Sequence, residues 1–392
     1  MPLYSIFRLL LLAGIVILLL SGCGQPRHTL LAPSSLPRFH DDGDTASLQR
    51  ALAAQRRYLA SLEDHKEFVI GGKPYTLARL ELSLAAFEEI IATEPAPAEL
   101  DHLIRQKFEI HQAGGRHRSP LGEMLVTGYY EPQLEGSLSP VPPFVYPLYA
   151  VPPDLAERLD GSGAKEVGRI DASGEFVPYW TREEIERSGV LAGCELAYLK
   201  DPFDAFLLHL QGSGKIRLRD GSIRSLHYSG NNGHPYTSIG RKLVEGKIFT
   251  LEEVDTGKLR SYVAAHPEEG AALLNANSRY IFFTWGEGEH PRGSLGMELT
   301  PGRSIAVDHT VLPAAAAAFL ISRRPLFDDR GLFAGWTALH RFVVAQDSGS
   351  AIRGPGRVDL FWGSGDYAKA AAGTMKEKGT LYFLIKKGAD QQ

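Results

Sequence analysis

The chain has 392 residues, 44% of them apolar, which is enough material for two or three domains with real cores and excludes collagen-like and disordered classes. Lys and Arg number 42 against 46 Asp and Glu, a net charge of −4, so no global positive field is available to hold nucleic acid or an anionic membrane by charge. The two cysteines, Cys23 and Cys194, are too few for a disulfide framework or a thiolate metal cage.

In chain order, Arg8 precedes an apolar run from Leu9 to Leu20, and Leu20-Ser21-Gly22-Cys23 closes it. The run is too short to span a ~30 Å hydrocarbon core, and small residues before a cysteine suit a signal peptidase. Residues 1–22 are therefore predicted to be a lipoprotein signal peptide and Cys23 the lipidation site, with Gly24 indicating an outer-membrane location facing the periplasm. Residues 23–46, rich in Pro, Ser, Arg and Asp, read as a tether. Two packing helices follow, one with Leu48, Leu52, Leu59 and Leu62 near one face, the next with Leu80, Leu84, Phe87 and Ile91 ahead of Pro95.

At Met124–Tyr130 the period changes to that of a strand. Gly136–Pro143 is Pro-rich without either period and reads as a linker, and Pro152–Gly174 as a surface excursion. Thr181-Arg182-Glu183-Glu184 is a capping box whose short helix ends at Gly189. A Gly/Asn-rich turn, two or three short helices and the strand Tyr280–Trp285 come next. Further strands are expected at Ser304–Val307, Phe319–Ser322, His340–Ala345, Val358–Trp362 and Leu381–Ile385. The fold class is mainly β in two bodies, without internal repeats.

There is no Gly-x-Ser-x-Gly, His-Glu-x-x-His or Walker string, and His65, His111, His117 and His234 stand among polar residues without ligand spacing. No metal and no cofactor are implied. The carboxylates say more. Asp347 ends an apolar strand before Ser-Gly, the setting of an Asx-type turn, and Asp366 precedes Tyr-Ala-Lys-Ala-Ala-Ala-Gly as a helix N-cap would. Asp359 lies inside the strand Val358–Trp362, where facing an enclosed site would strip its solvation and raise its pKa toward that of a general acid. The competing reading pairs it with Arg353 or Arg357, or turns it to water. Tyr129, Tyr130, Tyr236, Phe283, Trp285, Phe361 and Trp362 accompany Gln211, Asn231, Asn232, Asn277, Ser238 and Thr127, a combination of rings and amides suited to a carbohydrate groove.

These strings resemble the membrane-bound lytic transglycosylase A family of murein-cleaving lipoproteins. The matching segments are Thr127-Gly-Tyr-Tyr-Glu-Pro132, Asp201-Pro-Phe-Asp-Ala-Phe206 leading to Gln211-Gly-Ser-Gly214, Gly230–Arg241, Asn277–Phe283, Gly293-Ser-Leu-Gly296, Leu299–Asp308 and the three-aspartate segment 346–373. The chain departs from the family at Asp347-Ser-Gly-Ser350, where Asp-Thr-Gly-Gly is usual, at Thr284, where Arg or Lys is common, and in an unmatched insertion around Ala156–Gly174.

The resemblance implies a double-psi β-barrel formed by both chain ends, with an inserted second β domain and a groove between them. With the linker and the Gly-rich string as boundaries, the barrel takes 47–140 and 296–392 and the insert 141–295. It implies cleavage of the β-1,4 bond between N-acetylmuramic acid and N-acetylglucosamine with closure of a 1,6-anhydro ring, Asp359 as the catalytic acid and base, and Asp347, Asp308 and Asp366 in support. Glycan contacts are expected from Thr127, Tyr130, Gln211, Gly212, Asn232, Gly233, Tyr236 and Ser238. Partners are peptidoglycan strands and, through the anchor, a membrane, with no nucleic acid. A hydrolase using a second carboxylate and water, and a non-catalytic wall-binding lipoprotein, are the alternatives.

Overall fold

The computed structural model describes residues 30–388 except 32, 34, 64, 71, 72, 117, 118, 120, 162, 164, 252, 287–290 and 315. The expected signal peptide, the lipidation site Cys23, the first part of the tether and His117 lie outside the described residues. Among those described, no helix is long and apolar enough to cross a membrane.

The described chain opens with β1 (Leu30–Leu31) and α1 (Thr45–Leu59), then the hairpin β2 (Glu67–Ile70) and β3 (Lys73–Thr76), α2 (Leu77–Ala92), α3 (Pro97–Lys107) and β4 (Phe108–Ala113). The side chains of Asp44 and Thr76 cap α1 and α2 by accepting from Ser47 N and Arg79 N. The apolar stripes expected on both helices are buried against the barrel, Leu48, Leu52, Leu80 and Phe87 at 2% exposure or less.

The stretch expected to be a free tether is built into this body from Leu30 onward. β1 pairs with β4, Phe39 is fully buried against Phe319 at 5.2 Å between ring centroids, and Asp41 binds Arg303 through both carboxylate oxygens. Its polar composition hid one aromatic plug and one aspartate that the core needs.

The barrel has six strands. These are β5 (Met124–Glu131), β15 (Ser304–Ala306), β16 (Ala317–Phe327), β17 (Phe333–Asp347), β18 (Arg357–Ser364) and β19 (Lys376–Lys386), in the order β19-β16-β17-β15-β18-β5, closed by β5 pairing with β19. Closure removes free edges, and the parallel pairs β18–β5 and β15–β17 among otherwise antiparallel neighbours fit the double-psi type. Its interior is filled by Val126, Ile305, Leu320, Val343, Val358, Leu360 and Leu381, while Phe319 on the outer face meets Phe39 and Phe342. Gly128 on β5 has no room for a side chain, since a Cβ there would come within 2.6 Å of the Trp362 indole nitrogen.

The second body is a six-stranded sheet of β6 (Gln133–Ser137), β7 (Tyr146–Tyr149), β11 (Glu195–Leu199), β12 (Ser213–Arg217), β13 (Ile223–Asn231) and β14 (Ile281–Gly286), in the order β14-β13-β12-β6-β11-β7. The excursion at 156–174 contributes to a separate small sheet of β8 (Ala156–Leu159), β9 (Lys165–Ile170) and β10 (Phe176–Pro178). The helices are α4 (Arg182–Ser188), α5 (Pro202–Gln211), α6 (Ile239–Glu245), α7 (Thr256–Ala265) and α8 (Pro267–Asn275). The capping box at Thr181 and Glu184 and the left-handed Gly189 form as the sequence predicts.

The expected linker is corrected here. Gly136 and Ser137 belong to β6, a central strand between β11 and β12, and only Pro132 separates it from β5. The second sheet therefore begins at Gln133 rather than near 141, because β6 finds partners on both sides that its turn-like composition does not announce. The C-terminal α9 (Asp366–Thr374) carries another correction: its N-cap is Gly365, with no side-chain cap bond, and Asp366 is the exposed first helical residue.

Candidate functional site

A cavity of ≈ 250 Å³ lies between the two bodies. The barrel contributes Gly128, Tyr129, Ala306, Asp347, the loop 348–352, Arg357 and Asp359; the second body contributes His209–Gln211, Tyr236, Asn277, Arg279 and Ile281.

Asp359 reaches it by strand geometry. On β18 the two-residue period sends Val358, Leu360 and Trp362 into the barrel core and Arg357 and Asp359 to the opposite face. Flanking strands hold it in register with Thr127 on β5 and Ala306 on β15. Its side chain is 15% exposed, and Oδ1 is buried without a hydrogen-bond partner among the described residues. Arg357 Nε is 3.6 Å away, too far for a good hydrogen bond, while its Nη1 donates to Ala351 O. Burial pushes the Asp359 carboxyl up to about 6, and the charge of Asp347 acts in the same direction, against Arg357.

Asp347 is the contrasting carboxylate. Oδ1 accepts from Ser294 N and Ser348 N at 2.8 Å each, and Oδ2 accepts from the Tyr129 hydroxyl at 2.9 Å. Burial raises its pKa, and these donors work against the rise. The Asx-type turn expected at Asp347, which would take the amide two residues on, is not the bond that forms: the carboxylate accepts from the adjacent Ser348 N and also fastens Ser294 and Tyr129. Tyr129 in turn packs on Phe361 with ring centroids 5.2 Å apart.

Asp308 lies outside the cavity lining and shapes the loop above it. Its oxygens accept from Thr310 N, Thr310 Oγ1 and Gly354 N. Burial opposes its ionisation, but these bonds and the charge of Arg353 outweigh it and hold the carboxyl below its ordinary range. Asp366 is remote in role, exposed in the first turn of α9.

The eight expected glycan contacts divide. Gln211 and Tyr236 line the cavity. Gln211 is the last residue of α5 before the left-handed Gly212, and its Oε1 accepts from Tyr130 N at 3.2 Å across the two bodies. Thr127 and Tyr130 on β5 lie outside the cavity lining, Tyr130 packed against the barrel core and Thr127 with its Oγ1 3.5 Å from Arg357. Ser238 caps α6 by accepting from Arg241 N.

Asn232 is corrected to a scaffold position, whereas Gly233 is exposed in the turn beside it. Asn232 is 1% exposed, with its amide donating to Trp180 O and Ser278 O and its oxygen accepting from Tyr280 N. Gly233 has φ 78°, and a Cβ there would lie 2.9 Å from Val167 O. Asn232 looks like a polar turn residue in sequence because its partners are 46 or more residues away.

Two features of the lining escaped the sequence reading: Tyr129 as an Asp347 partner, and Arg279. The alternation on β5 was the available signal, because Tyr129 shares a face with Thr127. Behind this lining, fully buried Arg182 donates to Asn277 O, Arg279 O and His209 Nδ1, so α4 fixes three cavity-lining segments.

Residues 125–284 match the family described as the MltA specific insert domain, and residues 303–385 match the 3D domain. The membrane-bound lytic murein transglycosylase A of Escherichia coli strain K12 is 30% identical over 265 residues, 67% of this chain and 66% of that protein. The protein of the same name from Vibrio cholerae is 26% identical over 389 residues, 96% of this chain and 94% of its own. The crystal structure of a membrane-bound lytic murein transglycosylase from Agrobacterium tumefaciens superposes with a TM-score of 0.69 at 28% identity, covering 87% of this chain and 93% of that one. With both family domains in the order the barrel and insert require, the chain belongs to the membrane-bound lytic murein transglycosylase A family, enzymes that act on peptidoglycan.

Proposed function

We propose that the cavity between the bodies cleaves the β-1,4 bond between N-acetylmuramic acid and N-acetylglucosamine and leaves a 1,6-anhydromuramic acid end, with Asp359 as the single acid and base. The observation that carries this reading is the asymmetry of the two carboxyls. Asp359 has a buried oxygen without a hydrogen-bond partner and a pKa near 6, so it can hold a proton near neutral pH and deliver it to the leaving oxygen. Asp347 is engaged by three donors and is suited to charge and positioning.

Ordinary glycosidases need a second catalytic carboxyl to attack or to activate water. When the 6-hydroxyl of the muramic acid attacks its own anomeric carbon, intramolecular proximity takes over that role. Asp359, deprotonated by the first step, then accepts the hydroxyl proton as the C1–O6 bond forms, and returns to its starting state. Gln211, Tyr236, Tyr130 and Thr127 hold the glycan; Gly212 sets the position of the first. The presence of Asp347 in the same cavity keeps a second reading open, hydrolysis with that residue activating water.

Asp359→Asn is expected to fold and bind murein while losing at least ~10³-fold in turnover, since both proton transfers fall on one group. Zymography of the variant and mass spectrometry of wild-type products check this. Reducing-end muropeptides as the sole product would transfer the assignment to hydrolysis; gel clearing by Asp359→Asn would remove the acid from position 359.

We also propose that Cys23 is acylated and tethers the body to the periplasmic face of the outer membrane, in keeping with the apolar run and box that precede it.

A further inference from the structure

The β16–β17 hairpin is longer than the barrel requires. β16 pairs with β19 only as far as Ile321 opposite Thr380, whereas its pairing with β17 continues to Phe327 opposite Phe333. The last part is a two-stranded ribbon projecting past the barrel end, an arrangement that water alone stabilises poorly.

The exposed turn is Asp328-Asp329-Arg330-Gly331, and the residues that flank it are apolar and aromatic. Leu326, Leu332, Phe333 and the neighbouring Tyr367 of α9 are 40–61% exposed, and Phe327 packs edge-on against both Phe333 and Tyr367 at 6.4 and 5.9 Å. Trp336 lies 5.4 Å from Phe333, with the Arg323 guanidinium over its indole at 5.6 Å. Contiguous exposed apolar surface of this kind marks an interaction site, and rings with an arginine beside them suit a membrane interface.

The register says what faces it. Leu30 pairs with Ala113, next to the position where β4 meets β19 at Gln112 opposite Tyr382, so the N-terminal end of β1 lies on the side of the Lys376 end of β19. The β16–β17 ribbon extends toward that same end. Cys23 is seven residues upstream of Leu30, a reach of at most ~25 Å at 3.3–3.6 Å per residue. The ribbon tip lies about seven strand residues beyond the level of Leu30, roughly 23 Å at 3.3 Å each. An acyl group on Cys23 and the hairpin tip can thus meet one plane.

We propose that the tip formed by Leu326, Leu332, Phe333 and Trp336 seats in the lipid interface of the membrane that holds the anchor, making a second point of contact that orients the barrel. This rests on the acylation of Cys23 for its geometry, so the two are read separately.

The full chain is purified from membranes of cells fed radiolabelled palmitate, which reports acylation, and reconstituted in phosphatidylethanolamine and phosphatidylglycerol vesicles with plain or brominated acyl chains. Bromine quenches indole fluorescence at short range, and Trp336→Phe isolates the signal of that residue. At least two-fold quenching of the Trp336 signal is expected. It should be lost in Leu332→Glu/Phe333→Glu, while that variant still sediments with vesicles, melts as wild type and cleaves soluble glycan at the same rate. An acylated, vesicle-bound protein whose Trp336 is unquenched overturns the proposal. If palmitate is not incorporated, the anchor fails by itself; quenching of Trp336 in that unacylated protein sustains the hairpin contact, and its absence overturns it. Loss of sacculus binding by the double variant without bromolipid quenching assigns the patch to glycan and also overturns it, as does a tip-dependent dimer in sedimentation velocity.

Discussion

Two aspartates in one cavity differ by what their oxygens touch. Asp347 is met by two backbone amides and a tyrosine hydroxyl, whereas one oxygen of Asp359 meets no donor, and burial keeps its carboxyl near 6. That has a cost in stability. The folded pKa lies above the 3.8 expected when unfolded, so the folded state binds more protons between the two values, and stability falls as pH rises from about 4 to about 6 and is flat above. Asp359→Asn should therefore be more stable than wild type at pH 7 by on the order of 1–3 kcal/mol, and equal to it near pH 4, as read by thermal melts at both. Arg357 opposes the upward shift. In Arg357→Ala the carboxyl should keep its proton to higher pH, moving the alkaline limb of kcat/KM upward; a limb that stays in place or moves down would show that another group sets it.

At the scale of elements, strand alternation on β18 separates the core-facing Val358 and Leu360 from the cavity-facing Arg357 and Asp359, and one buried arginine adds to the apolar contacts that hold α1 to the barrel. Arg303, 1% exposed, donates to both oxygens of Asp41, to Ser47 Oγ and to the Asp44 and Phe342 carbonyls, and Asp41 also accepts from Phe342 N. One guanidinium thus joins the segment before α1 to β17. Asp41→Ala leaves it buried and short of its counter-charge, an arrangement that costs about 3–5 kcal/mol. Urea unfolding should show the midpoint falling accordingly. A change below 1 kcal/mol would mean that the remaining carbonyls suffice.

Across the whole molecule, the chain passes from barrel to second sheet through Glu131 and Pro132, and a second strained carboxylate sits there. Glu131 ends β5 at 1% exposure, with neither oxygen hydrogen-bonded among the described residues and Lys215 of β12 at 3.5 Å. Burial pushes it up to about 7, against the pull of Lys215. Its folded pKa is also above the unfolded 4.5, so its contribution to stability declines as pH rises through 4.5 to 7. Glu131→Gln should remove that slope, its advantage over wild type growing to at most ~3 kcal/mol by pH 7.5 in denaturant titrations across that range. An unchanged slope would place the titration elsewhere.

Local chemistry sufficed for what local forces decide. The capping box at Thr181, the stripes of α1 and α2, the strand around Asp359 and the left-handed Gly189 follow from period and backbone preference, and each is present in the fold. Solvation also singles out Asp359, because a carboxylate inside an apolar strand loses water wherever that strand is packed on both faces. What the sequence could not decide depended on partners distant along the chain. Asn232 reads as a groove residue until Trp180, Ser278 and Tyr280 claim its amide, and Gly136 reads as linker until β11 and β12 flank it. Asp41 belongs to a tether until Arg303, 262 residues later, arrives beside it. Burial and hydrogen-bond satisfaction are properties of a place in space, and only the closed barrel with its packed insert creates those places.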